Sequence, residues 1–91
     1  MMENRIYVSV DVSFDIYGQM LPTNIRWEDG SVFEIDKVTD IRQAAAAKAG
    51  GQGDRYTVMI QGKEKYLFFE RSCSRNGNLI GSWFVEKKVA Q

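Results

Sequence analysis

Arg5-Ile6-Tyr7-Val8-Ser9-Val10-Asp11-Val12-Ser13-Phe14-Asp15-Ile16 alternates without a break. Ile6, Val8, Val10, Val12, Phe14 and Ile16 share one parity, and Arg5, Tyr7, Ser9, Asp11, Ser13 and Asp15 share the other. A period of two puts each set on its own face of an extended chain, so residues 5–16 read as a half-buried strand with the even positions inward. Tyr17-Gly18-Gln19 supplies a turn. Pro22, with no N–H to give a ladder, suits the start or the edge of the next segment.

Beyond that turn, residues 24–27 read as a short strand with Ile25 and Trp27 on one face, and Glu28-Asp29-Gly30 as a hairpin turn ending in a residue that tolerates positive φ. A third strand is expected over 31–40. Phe33 and Ile35 hold one parity there and Val38 the other, which a bulge near Asp36-Lys37 would reconcile. Gln43-Ala44-Ala45-Ala46-Ala47-Lys48-Ala49 has strong helical propensity with Gly50 at a C′ position, yet it is shorter than an isolated helix sustains. A short helical turn and an extended hairpin arm both fit 43–49. Residues 55–61 then place Tyr56, Val58 and Ile60 on one face, Gly62-Lys63 turns, and 65–71 form an aromatic strand. Asn76-Gly77 offers a tight turn within a loop over 72–81, before a last strand over 82–88.

These are about six antiparallel strands in 91 residues. A chain of this length builds one thin core and one domain, and the economical all-β solution is a small, strongly curved, partly open barrel that hides its unpaired edges. Trp27, Phe33, Phe68 and Phe84 are assigned to packing, and Tyr7 is the aromatic expected at the surface. The opening residues carry no basic head with an apolar block, no run approaches the ~20 apolar residues of a spanning helix, and the single cysteine has no partner in the chain. A cytoplasmic protein without a membrane partner is therefore expected.

Several pieces, in order, resemble a family of small bacterial proteins with no established activity: Trp27-Glu28-Asp29-Gly30 with Val32-Phe33-Glu34-Ile35-Asp36-Lys37-Val38, Ala49-Gly50-Gly51-Gln52-Gly53 with Arg55-Tyr56-Thr57-Val58, Tyr66-Leu67-Phe68-Phe69-Glu70, and Trp83-Phe84-Val85-Glu86. The likeness spans roughly residues 21–88. It implies a small barrel similar to the Src-homology-three type and transfers no activity.

The chain contains no histidine. Serine–histidine and cysteine–histidine nucleophile pairs are thereby excluded, as is a four-ligand zinc site within one copy. Asp11 and Asp15, about 13 Å apart along one strand face, cannot share an ion. Cys73 lies among Ser72, Ser74 and Arg75 in an expected loop, where the arginine could make the thiol reactive, but with no base to pair with it an incidental surface thiol is expected. No catalytic residue, metal or cofactor is expected.

Two features remain. Lys48-Ala49-Gly50-Gly51-Gln52-Gly53-Asp54-Arg55 combines three glycines with flanking cations, a composition that could cradle a small anion or simply turn a hairpin. Charge is also split: residues 1–41 hold eight acids against three bases, and residues 42–91 nine bases against four acids. Either acidic early strands pair with basic late ones, or the later strands form a basic face on which Arg42, Lys48, Arg55, Lys65 and Tyr66, with Gly50, Gly51 and Gly53, receive single-stranded nucleic acid. The leading expectation is a non-enzymatic module that binds a protein partner or a second copy of itself through an exposed strand edge or an aromatic groove. Nucleic-acid binding is the alternative, and anion binding at the glycine loop a third.

Overall fold

The computed structural model describes residues 5–43, 53–73 and 79–86. The expected helical turn or arm over 43–49, with Lys48, Gly50 and Gly51, and the Asn76-Gly77 turn lie outside the described residues, apart from Gln43. Among the described residues there are seven strands: β1 (Arg5–Phe14), β2 (Met20–Arg26), β3 (Val32–Glu34), β4 (Lys37–Arg42), β5 (Asp54–Ile60), β6 (Lys63–Cys73) and β7 (Leu79–Glu86). They form one antiparallel sheet in the order β3-β2-β1-β7-β6-β5-β4.

That order forces the sheet to curl. β3 and β4 stand at its opposite edges, about 29 Å apart if the sheet were flat, yet only Ile35 and Asp36 separate them, a reach of at most about 11 Å. The Ile35 N–H donates to the Thr23 carbonyl of β2 at 2.9 Å, and the Asp36 N–H to the Met59 carbonyl of β5 at 2.8 Å. Two residues thus draw the edges together, and the Ile35 side chain is buried as it crosses. The expected all-β, strongly curved, partly open sheet is what forms. Residues 31–40 are a correction: they are two strands serving opposite edges, not one strand with a bulge at Asp36-Lys37.

The irregularities lie elsewhere. Asp11 faces Asn24 and Val12 faces Pro22, which leaves Thr23 as an extra residue on β2. Val38 faces Val58 and Asp40 faces Thr57, leaving Thr39 extra on β4. Each bulged threonine donates its hydroxyl to the strand opposite, Thr23 to the Asp11 carbonyl and Thr39 to that of Thr57. Bulges increase local twist and bend, as closure requires. Pro22 sits beside the first bulge, on a part of β2 that β3 does not reach, because β3 pairs only with residues 24–26.

Other boundaries shift modestly. β2 starts at Met20, the β5–β6 turn falls on Gln61-Gly62, both at positive φ, and β6 runs on to Cys73, whose backbone pairs with Leu79 where a loop was expected.

Tyr56, Val58, Leu67, Trp83, Ile25 and Ile35 form the buried interior, with Val8, Val10, Trp27, Ile60, Phe69 and Val85 packed around it. Val58 and Leu67 are fully buried, each contributing about 1.5–3 kcal/mol by burial. The outer face carries a second cluster, one residue per strand in register: Tyr7 opposite Phe84, Phe84 opposite Phe68, Phe68 opposite Arg55, Arg55 opposite Arg42. The Phe68 and Phe84 rings stack at 5.1 Å, and the Arg5 guanidinium lies 4.5 Å over Phe84. Glu70 holds it there, accepting from Arg5 at 3.2 Å and from the Tyr7 hydroxyl at 3.1 Å. Phe68 and Phe84 are buried as expected, but on the face opposite the interior; Trp27 and Phe33 are half-buried.

Candidate functional site

β1 belongs to two ladders. Residues 5–8 pair with β7, whereas residues 9–14 pair with β2. Among the described residues, the other edge of 9–14 carries no strand, and an open cleft of about 530 Å³ lies where β1 parts from β7, lined by Tyr7, Val8, Ser9, Val10, Gly81 and Ser82 with Trp83. An unpaired edge presents alternate N–H and C=O groups to any extended chain.

The side chains along this edge correct the sequence expectation for the even face of β1. Val8 and Val10 pack on the core, but Val12 is exposed, Phe14 is 65% exposed and Ile16 90%. β1 and β2 outrun the rest of the sheet, so among the described residues no strand lies opposite the end of the inward parity. Tyr7 is half-exposed as expected, yet Phe14 and Tyr17, the latter 87% exposed, are more so. The tip is firmly built: the Asp15 carboxylate accepts the N–H groups of Tyr17 and Gln19, each at 2.9 Å, and Gly18 turns at φ +82°. Ile16 and Tyr17 are therefore offered to solvent by a fixed turn.

Asp11, on the polar face of the same edge, is held by Arg26, whose Nε and Nη2 donate to its carboxylate at 2.9–3.2 Å. Those bonds hold the Asp11 carboxyl below its ordinary pKa and the Arg26 guanidinium above its own. The Ser31 N–H likewise lowers Asp29 in the β2–β3 turn. Burial raises the phenol of Tyr56, whose hydroxyl donates to the Met20 carbonyl and ties the base of the hairpin to β5.

The sequence-chosen basic residues do not converge on one face. Arg42 and Arg55 are neighbours on the outer face, where Arg42 Nε bonds Asp40 at 2.9 Å and the Arg55 guanidinium lies 4.6 Å over the half-exposed Tyr66 ring. Arg55 Nε is buried and has no hydrogen-bond partner among the described residues. Lys65 stands on the inward parity, opposite Val58. Gly53 adopts φ +82°, and a Cβ there would fall on the Phe69 carbonyl, so its glycine has a steric reason. Among the described residues no ion pair joins an early acid to a late base across strands: Arg26–Asp11 and Arg71–Asp54 join groups within one half, Arg42–Asp40 lies within one strand, and Arg5–Glu70 has the opposite sense. Among the described residues no cluster of acids or thiols is placed to hold a metal ion, and no helix is long and apolar enough to cross a membrane.

Sequence alone does not mark Ile16, Tyr17 and Lys63 as functional residues. The signal for the first two was alternation running straight into a turn; for Lys63 it was the parity it shares with Lys65 and Leu67. Comparison with protein families, with curated proteins and with solved structures finds no match in any of the three.

Proposed function

We propose that the protein is a non-enzymatic interaction module whose interface is the free edge of β1, and that the strand it accepts is the same edge of a second copy. The observation that carries this is the switch of β1 from β7 to β2 after Val8, which among the described residues leaves 9–14 paired on one side only.

Charge and parity select a second copy as occupant. Two-fold antiparallel pairing keeps like faces together only in registers where residue numbers sum to an even value. Centring on Asp11 sets two carboxylates opposite each other; centring on Ser13 sets Asp11 against Asp15. Centring on Val12 places Val12 on Val12, Val10 on Phe14 and Asp11 on Ser13, so apolar meets apolar and no acid faces an acid. The tip of each partner is then directed toward the cleft beside Gly81 and Ser82.

Sedimentation equilibrium tests this. The wild type is expected to dimerise reversibly, and Val12→Lys, an inward charge on the edge, to be monomeric with unchanged far-UV dichroism. A wild type that stays monomeric at its highest soluble concentration, or a Val12→Lys variant that dimerises equally well, overturns the proposal.

A second reading, binding of single-stranded nucleic acid, is favoured by Arg42, Arg55 and Tyr66 sharing the outer face. Fluorescence anisotropy with an oligonucleotide tests it: affinity that falls steeply with salt supports it, and no binding at low salt removes it.

A further inference from the structure

The end of the curled sheet where β5 turns into β6 opens into a cleft of about 860 Å³. Its walls are apolar and half-buried: Trp27 and Phe33, packed edge-to-face at 6.3 Å, line one side, and Ile60 and Val85 line another. At the lip, Lys63 stands opposite Ile60 and Lys65 opposite Val58, so both share the inward parity of the fully buried Leu67. Glu64 and Glu86 also line the cleft, but from the outward parity, opposite Met59 and Arg5. Among the described residues, neither lysine has an ion-pair partner.

We infer that this mouth binds a single-chain amphiphile with an anionic headgroup. The cleft volume falls within the range of small-molecule sites, and it combines an apolar body with a few charged groups that fix orientation. The aliphatic chain lies along Trp27, Phe33, Ile60 and Val85, and the headgroup meets the two ammonium groups at the lip. An uncharged apolar ligand would leave the paired cations without a counter-charge, and a cationic one would be repelled by them. The surface is distinct from the β1 edge, so the inference does not depend on dimerisation.

Calorimetric titration and amide-shift mapping with dodecanoate and with dodecyl phosphate, below their micelle concentrations, test this; the two arms separate a carboxylate from a phosphate headgroup. Saturable one-to-one binding of at least one of them is expected, with shifts at Val58, Ile60 and Trp27, and with dodecyltrimethylammonium at least about tenfold weaker. The Lys63→Gln/Lys65→Gln variant should lose about tenfold or more, Lys63→Arg/Lys65→Arg should retain binding, and Lys37→Gln, on the outer face, should be unchanged. Equal binding of cationic and anionic amphiphiles, shifts confined elsewhere, or no saturable binding of either anion overturns the inference. Should the glutamine variant fail to fold, the arginine variant and the cationic control decide the matter.

Discussion

Replacing Gly53 by alanine separates backbone conformation from close packing. Gly53 and Gly30 both hold positive φ, +82° and +92°, where an L side chain costs roughly 1–2 kcal/mol. At Gly30 an added Cβ meets nothing within 4 Å; at Gly53 it falls on the Phe69 carbonyl oxygen, with the carbonyl carbon at 3.0 Å and Glu70 Cα at 3.2 Å. Those are backbone atoms of β6, which no rotamer change can move, so the strand must shift at a further cost of about 1–3 kcal/mol. The loss of unfolded-chain entropy is common to both substitutions and cancels in the comparison. At about 4–8 °C per kcal/mol for a domain this size, Gly53→Ala should melt roughly 4–24 °C below Gly30→Ala. Thermal and urea unfolding followed by far-UV dichroism read the difference. Equal melting of the two variants would refute the close approach of Gly53 to β6.

Three further outcomes are expected. Leu67→Ala empties a fully buried site between β5 and β7 and should lower stability by about 2–5 kcal/mol in urea unfolding, a loss under 1 kcal/mol contradicting its place at the centre of the core. Asp11 is held below its ordinary pKa by Arg26, so its contribution is complete above the unfolded carboxylate value of about 3.9 and fades as pH falls through its lower folded value. Urea midpoints of Asp11→Asn should accordingly decline less than those of the wild type below about pH 4, and parallel acid limbs would dismiss the pairing. A double-mutant cycle on Arg5 and Glu70 should give a coupling of about 0.5–1 kcal/mol that shrinks with added salt, whereas zero coupling at low salt would mean that Glu70 does not hold the guanidinium.

Local signals located most strands. Alternation marked β1, glycine-centred turns marked the hairpins at Gly30 and Gly62, and the apolar parity of Tyr56, Val58 and Ile60 marked the core face of β5. Alternation does not say which neighbour a strand pairs with, which is why 31–40 looked like one element. The two halves have similar local sequence, and only the long-range bonds of Ile35 to β2 and Asp36 to β5 divide them. Nor does parity reveal where a strand outruns its sheet: Val10 and Phe14 are equivalent in sequence, yet one packs on the core and the other faces water. The same limit applies to the basic residues. Arg55 and Lys65 are both strand cations in a basic half, and the register sends them to opposite faces.

The edge of β1 can be interrogated directly by cysteine cross-linking in a Cys73→Ser background. In pairing centred on Val12, the two copies of residue 12 lie directly opposite, with Cα atoms about 4.5–5.5 Å apart, inside disulfide range, while the two copies of residue 13 are about 8 Å apart, outside it. Val12→Cys should give a covalent dimer under mild oxidation, and Ser13→Cys should not. If neither position cross-links, or both do so at the same rate, residues 9–14 are not the seam between two copies.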